Sequence, residues 1–456
     1  MTDRVELRSR PSLHPGNHLL MQRMVALVRP QSNLLSNATF VTMGSVAGAV
    51  LGFLFWSIAS RRMTPNSVGI TSAAISAMSL VAATAEIGLG TLLLGYGLRN
   101  RKEAPHLISA AMIVGLGLSA AGSLASLILT KWLGLKIGYA VGSHMASALF
   151  VIGAVATTLS RLIDSALTGF LISSLRMYRE FVFSVVKLAL LFFAFMPVLG
   201  QGQEATILLF WGGALVISIL FVTAVTCRSG RLWQAPDFGL LISLLPKSFG
   251  HHFLNLVASA PAIAMPLLVA EVVSPEVNAA FFMSWMILQV ILLGPASLAT
   301  ALYAAGPPKP DGLPDAATDR LRISLVISVL MCLAGTLGFL IFLNPMLALI
   351  SPLLAQIGGP YLKYLGWGMF AEAAKYHYIA VMRLQTRMWR GSILVALIGL
   401  LEILGASAGG MIAGLPGLVF GWLLTVSLQA VLVLPTLLCA SGVALCSTRS
   451  ERDGGV

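Results

Sequence analysis

Apolar residues in this chain are grouped in runs of about twenty or more, separated by short segments with charged residues, proline or glycine. Because an α-helix rises about 1.5 Å per residue, roughly 20 apolar residues cross the hydrocarbon core of a bilayer. The pattern therefore predicts an all-α integral membrane protein with twelve transmembrane helices. Their limits are 38–60, 68–97, 107–132, 140–170, 180–199, 205–227, 249–272, 277–305, 323–350, 360–383, 391–413 and 416–441.

The segments between the runs alternate between many and few basic residues. Lys and Arg accumulate in the cytoplasmic segments of membrane proteins. If the N-terminus is inside, the seven cytoplasmic segments hold 21 Lys and Arg, whereas the six outer loops hold four. This alternation predicts a multi-pass protein whose N- and C-termini are both cytoplasmic.

Two short motifs recur at nearly the same offset. Thr64-Pro65 precedes the second run and Ser274-Pro275 the eighth, an offset of 275 − 65 = 210. Arg176-Met177-Tyr178-Arg179 follows the fourth run and Arg387-Met388-Trp389-Arg390 the tenth, an offset of 387 − 176 = 211. These matches predict a duplicated six-helix unit, with two lobes related by an axis along the membrane normal, as in a V-shaped exporter bundle.

The duplication divides the chain into five segments. The first is a cytoplasmic N-terminal segment that could be an interfacial helix or a disordered tail. The others are the N-lobe, a cytoplasmic loop between the lobes, the C-lobe and a cytoplasmic tail. Their limits are 1–37, 38–227, 228–248, 249–441 and 442–456.

The composition excludes several classes of protein. Of the 456 residues, 57% are hydrophobic and 10% are charged, against about 25% charged in soluble domains. The solvent must be the lipid bilayer, and the net charge of +12 is explained by the loops that orient the helices, so nucleic acid is not expected as a partner. The Walker, His-Glu-x-x-His and Gly-x-Ser-x-Gly motifs are absent. We therefore expect no enzyme activity and no cofactor.

Charged residues inside the predicted spans are the candidates for function, because each costs about 2.5 to 3.5 kcal/mol on insertion scales. Arg161 and Asp164 lie one turn apart in the fourth run, and the offset of 211 relates them to Glu372 and Lys375 in the tenth. The two lobes would then carry these pairs at equivalent depth with their signs exchanged. Lys187 in the fifth run and Glu402 in the eleventh would also lie on corresponding faces.

Two interpretations of these charges remain open. Each pair could neutralise itself within its own lobe. Alternatively, the charges project into a central cavity, where they bind a polar or anionic cargo. We favour the cavity, because a neutral pair that is buried only for packing gains little over apolar residues.

Two further residues are candidates. Glu86, near the middle of the second run, has no basic residue within a turn and could bind a coupling H⁺ or Na⁺, or simply bond to a Ser or Thr neighbour. His377 stands between Tyr376 and Tyr378, a cluster that could stack on sugar rings or pack at the membrane interface.

The segment Thr64-Pro65-Asn66-Ser67-Val68-Gly69-Ile70, with Glu86-Ile87-Gly88-Leu89-Gly90-Thr91 and Arg99 after it, resembles the corresponding region of bacterial polysaccharide-biosynthesis flippases. These flippases belong to the multidrug, oligosaccharidyl-lipid and polysaccharide exporter superfamily. The resemblance also covers the twelve spans and the basic-aromatic motifs after the fourth and tenth runs.

This resemblance implies a carrier in the bacterial inner membrane that moves an undecaprenyl diphosphate-linked oligosaccharide to the outer leaflet by alternating access. It also implies a role beside polysaccharide polymerase and export machinery. The alternative from the same fold is a cation-coupled multidrug or small-molecule antiporter, which an acidic cavity would favour. A membrane glycan polymerase would need a long outer loop, and the longest predicted here has roughly ten residues.

Overall fold

The computed structural model describes residues 15–96, 100–193, 202–229, 232–304 and 315–442, and within these ranges every regular element is a helix. The first half of the chain forms α1 to α8: Pro15–Arg62, Pro65–Ala85, Leu89–Tyr96, Ala104–Leu133, Gly138–Val141, His144–Gly169, Ser173–Phe193 and Gln203–Ser229. The second half forms α9 to α14: Phe238–Val272, Pro275–Ala304, Asp315–Ile350, Pro352–Leu362, Gly368–Leu384 and Met388–Ala440. A 3₁₀ turn, Lys363–Trp367, joins α12 to α13.

The predicted all-α membrane fold is confirmed, and the helices are consistent with twelve spans. Within the described residues, nine helices are long and apolar enough to cross a membrane. One of them, α14, contains two spans, because Ala413 and Gly414 break the helix where the sequence predicts a break. The remaining two spans are α7, which is rich in charge, and the interrupted pair α12 and α13.

Several helix limits differ from the sequence prediction. Helix α9 begins at Phe238 because Asp237 accepts a hydrogen bond from the Leu240 amide, so residues 238–248 are helical rather than a loop. Helix α7 begins at Ser173 rather than near residue 180. Helix α1 is continuous from Pro15, whereas residues 1–14 and the predicted tail from 443 onward lie outside the described residues.

The predicted second span is divided into α2 and α3. The break follows Glu86, where Ile87 has a φ of 37° and Gly88 a φ of 101°. A positive φ is uncommon for a β-branched residue, so this backbone is held in a strained conformation by its surroundings. The break places the Glu86 carboxylate at an interruption in the helix rather than on a continuous helical face.

Helices of each half pack mainly on one another, as α1 does on α7 and α6 on α4 and α8 in the first half. In the second half, α10 packs on α11, and α13 packs on α14. The two halves meet chiefly where α2 packs against α9 and α10. These contacts describe two six-span lobes joined by a central interface.

The lobes are fastened together at the end where α2 and α10 begin, which the charge pattern predicts to be the outer end. The Asn278 side chain donates to the carbonyl of Gly69 over 2.7 Å, and the Glu271 carboxylate accepts from the amides of Lys136 and Ile137, each over 2.7 Å. A side chain added at Gly69 would overlap the carbonyl of Pro275. We call these inter-lobe contacts the outer clasp.

Candidate functional site

A cavity of about 750 Å³ lies between the lobes. Its walls come from α1, α2, α6, α7 and α8 of the N-lobe and from α9, α10 and α13 of the C-lobe. On both α2 and α10, the residues that line the cavity come later in the sequence than the residues of the outer clasp. The clasp therefore lies between the cavity and the predicted outer end. Volumes of roughly 300 to 1,000 Å³ are typical of small-molecule sites.

Lys187 lines this cavity with almost no exposure to solvent, at 2%. Among the described residues no carboxylate lies within 4 Å of its ammonium group. Aromatic rings surround it instead, with the Phe183 and Trp211 centroids 4.4 and 4.6 Å from Nζ and that of Phe55 5.5 Å away. Ring faces attract cations, but holding a buried ammonium without a counter-ion is costly, so an anion bound beside it would be stabilised.

Arg179 supplies a second cation to the cavity wall. Its guanidinium forms two hydrogen bonds of 2.6 Å with the two oxygens of Asp164, and its remaining nitrogen, Nη1, is buried without a partner. Glu180, the next residue, also lines the cavity and accepts a 3.2 Å hydrogen bond from Arg176. Asp164 therefore orients Arg179 and does not itself line the cavity.

Arg161 and Asp164 do not pair with each other, and neither lines the inter-lobe cavity. Arg161 instead forms an ion pair with Glu86, so a cation from α6 meets the carboxylate at the break between α2 and α3. Glu86 is buried, whereas 43% of the Arg161 side chain is exposed. Glu86 lacks a basic neighbour along its own helix, as the sequence indicates, but it obtains one from another helix.

Two acidic residues of the C-lobe, Glu372 and Glu402, form a closed cluster with Lys375. The Lys375 ammonium lies 2.8 Å from Glu372 and 3.3 Å from Glu402, and all three residues are at most 5% exposed. None of them lines the inter-lobe cavity. In this cluster, charges neutralise one another within their own lobe, which is the interpretation that the sequence analysis did not favour.

His377 is fully buried beside this cluster, where its ring is 2.7 Å from the Ser324 hydroxyl and 2.8 Å from the carbonyl of Ala373. The neighbouring Tyr376 faces the cavity instead. Within the described residues, no group of three or more His, Cys, Asp or Glu side chains is arranged to hold a metal ion.

The structure also changes the correspondence between the lobes. Helix α6 ends at Gly169 and α7 begins at Ser173, with Leu171 at positive φ between them. The equivalent turn joins α13 to α14 around Thr386, so the offset here is 386 − 171 = 215 rather than 211. Four residues are about one helical turn. The charged pairs of the two lobes therefore lie about one turn apart in depth.

Comparison with known proteins gives the fold. A multidrug resistance MATE family transporter of the MOP superfamily, solved in an inward-facing conformation, superposes with a TM-score of 0.64 at 15% identity over 90% of this chain and 99% of that one. The chain has the MATE transporter fold. A MOP superfamily transporter from Pyrococcus furiosus, described as having a binding pocket of reverse polarity and a different function, gives 0.62 at 14% identity over 91% and 96% of the two chains.

These structures confirm the expected exporter fold, and each of them is described as a transporter. The outward-facing conformation of a multidrug resistance MATE family transporter also matches, with a TM-score of 0.61 at 15% identity over 91% of this chain and 96% of that one. No protein-family model and no curated protein sequence matches the chain.

Within this MATE fold, the sequence identifies one lining residue, Lys187, and misses others. The sequence prediction omits Arg179, because the predicted fifth span begins after the basic motif, and it does not single out Glu180 at the first position of that span. A signal is present, since Arg176, Glu180 and Ser184 recur every four residues and Lys187 follows three later, which is one face of a helix. Extending α7 back to Ser173 along this face places Arg179 within the helix as well.

Proposed function

We propose that this protein is a transporter that moves a lipid-linked oligosaccharide, joined through a diphosphate, from the inner to the outer leaflet by alternating access. The observation that carries the proposal is Lys187, a buried cation in the inter-lobe cavity without a carboxylate partner among the described residues. An anionic headgroup would supply the missing counter-charge and would favour this pocket over water.

The balance of charge in the cavity supports an anionic cargo. Among its described lining residues, Lys187 has no carboxylate partner, whereas Arg179 is paired with Asp164 and Glu180 with Arg176, so the unbalanced charge is positive. Aromatic side chains from both lobes complete the wall and offer flat surfaces to sugar rings: Trp56, Phe183, Trp211, Phe282, Trp285 and Tyr376. An inside-negative membrane potential would favour outward movement by about 2.3 kcal/mol per negative charge and 100 mV.

The second candidate is a cation-coupled multidrug antiporter, which the similarity to multidrug resistance MATE structures favours. A cationic drug would require uncompensated carboxylates in the cavity. The acidic residues that would serve are already paired, Glu86 with Arg161 and both Glu372 and Glu402 with Lys375. The charge of the cavity therefore supports the oligosaccharide carrier over the antiporter. In the antiporter, protonation of Glu86 or Glu402 would couple transport to H⁺.

Deleting the gene tests the proposal directly. We expect lipid-linked oligosaccharide to accumulate on the cytosolic leaflet while the surface glycan is lost. The wild-type chain and the Lys131→Met variant should restore the glycan, because Lys131 is exposed at the end of α4. The Lys187→Met variant should not restore it. An unchanged glycan, together with increased sensitivity to cationic drugs, would support the antiporter instead.

A further inference from the structure

A second, smaller cavity of about 180 Å³ lies wholly within the C-lobe, between α9, α10 and α13. It shares two wall residues with the inter-lobe cavity, Ala258 on α9 and Tyr376 on α13. The two cavities are therefore adjacent and adjoin at the Tyr376 side chain. We call the smaller space the side pocket.

The side pocket contains a guanidinium without a counter-ion. Arg383 lines it, and no carboxylate among the described residues lies within 4 Å of this side chain. One of its terminal nitrogens donates to the Asn255 side-chain oxygen, and the group lies 5.8 Å from the centroid of the Tyr303 ring. Its Nε–H is buried and has no acceptor among the described residues. A buried donor without an acceptor costs about 1 to 3 kcal/mol, more for a charged group.

Capping of α13 does not explain this arrangement. Arg383 lies in the last turn of α13, where a cation interacts favourably with the helix dipole. Backbone amides, however, already satisfy the final carbonyls, since Gln385 and Arg387 donate to Val381 and Met382 over 2.9 and 3.0 Å. The guanidinium instead reaches across to α9 and α10. Its position is therefore set by the pocket rather than by the helix end.

We infer that the side pocket binds a phosphate or diphosphate group, with Arg383 as the principal donor and the Asn255 side chain holding the guanidinium in place. The planar fork of arginine matches the oxygens of phosphate and binds them through two parallel hydrogen bonds. A volume of 180 Å³ equals that of about six water molecules at ~30 Å³ each, which suits a compact anion and excludes an oligosaccharide.

The inference rests on the proposed function and refines it. One phosphate of the lipid headgroup binds in the side pocket, and the sugars attached to the headgroup lie in the inter-lobe cavity among the aromatic rings. Lys187 attracts the remaining negative charge of the cargo, so each lobe supplies one cationic contact. Because the cavities adjoin at Tyr376, this arrangement requires the cargo to pass that side chain.

Binding of inorganic pyrophosphate to the purified full-length chain in detergent tests the site, with isothermal titration calorimetry as the readout. We expect the Arg383→Gln variant to bind at least tenfold more weakly than wild type. The matched control is Arg387→Gln, because Arg387 is exposed and lies one turn further along; its affinity should equal that of wild type. Absence of binding to wild type, or equal binding by Arg383→Gln, would overturn the inference.

A conservative variant protects the test against misfolding. Arg383→Lys keeps the charge and loses the fork, so we expect an affinity between those of wild type and Arg383→Gln. If Arg383→Gln does not give a monodisperse protein, a loss of at least threefold in Arg383→Lys supports the site. Wild-type affinity in Arg383→Lys would contradict a forked contact and would overturn the inference.

A second ligand distinguishes the source of the phosphate. A short-chain polyprenyl diphosphate without sugars should bind at least tenfold more tightly than pyrophosphate, and the difference should survive in Arg387→Gln. Equal affinity would overturn the assignment to a lipid headgroup and would indicate a site for free phosphate. The glycan measurement on the deletion strain is independent, so failure of the side pocket and failure of the proposed function give different results.

Discussion

Replacing Lys187 by methionine should weaken transport and at the same time stabilise the fold. Methionine keeps most of the length of the side chain and removes the ammonium of Lys187, a residue that is 2% exposed and has no carboxylate partner in the described part of the chain. Taking an ion out of water costs several kcal/mol even after relaxation. The surrounding rings return about 2 kcal/mol.

The expected magnitudes follow from these values. Removing the uncompensated charge should stabilise the protein by about 1 to 2 kcal/mol, since the desolvation cost exceeds what the aromatic rings return. Losing a charge-assisted contact with an anionic cargo should cost about 1.5 to 3 kcal/mol, a factor of roughly 10 to 150 in affinity. If Lys187 contributed only packing, its replacement by methionine would lower the free energy of unfolding instead of raising it.

Two measurements on the same variants test these expectations. Thermal unfolding in detergent, followed by tryptophan fluorescence, reports stability, and glycan restoration in the deletion strain reports transport. The Lys131→Met variant should leave both unchanged, because Lys131 is exposed. Full transport by Lys187→Met, or a clear fall in its unfolding temperature, would refute the reasoning that this lysine is a buried cation kept for an anionic cargo.

Three further substitutions give distinct expectations. Lys375→Met leaves two buried carboxylates without their cation, and the protein should lose about 3 to 5 kcal/mol of stability, measured by thermal unfolding. Gly69→Ala introduces a methyl group where backbone from the other lobe lies, so it should open the outer clasp and increase labelling of a Ser72→Cys variant by an impermeant thiol reagent. Glu271→Gln replaces a charged acceptor of two amides, weakening that contact by about 1 to 2 kcal/mol, and should raise the same labelling rate at least threefold.

Each expectation has a control or a contrary outcome. The control for the labelling experiment is Glu276→Gln. Glu276 is exposed near the same end of the bundle, so this substitution should not change the labelling of the cysteine at position 72. Labelling that is insensitive to both Gly69→Ala and Glu271→Gln would show that the outer clasp does not limit access from that side. Wild-type unfolding of Lys375→Met would mean that the C-lobe carboxylates do not depend on this cation.

The all-α class and a number of membrane spans consistent with the structure could be predicted from the sequence, because lipid imposes length and hydrophobicity on each span. The break at Ile87 could not, since the surrounding residues read as one apolar run and the positive φ depends on tertiary packing. The start of α7 was also missed, because charged residues in its first turns resemble a loop when their partners are unknown. Asp164 on α6 is the partner that allows Arg179 to lie there.

Partners of the buried charges were the least predictable feature. Spacing along one helix indicates neighbours on the same face, and this was sufficient for Glu372 and Lys375. It was not sufficient for Arg161, whose carboxylate comes from another helix. The equivalence of the lobes also shifted by four residues, since a duplicated bundle tolerates small length changes within one copy. Sequence therefore located the charges but did not determine which of them face the cavity.

Most contacts of the outer clasp join a side chain of one lobe to a main-chain atom of the other. Glu271 accepts from two amides and Asn278 donates to the carbonyl of Gly69, whereas the contact of Asn278 with the Ser72 hydroxyl joins two side chains. Main-chain groups are present whatever residue occupies a position, so substitution at most of those partner positions leaves the contacts intact. Closure at this end therefore depends on a small set of side chains and on the close approach at Gly69, a target small enough for complete mutational mapping.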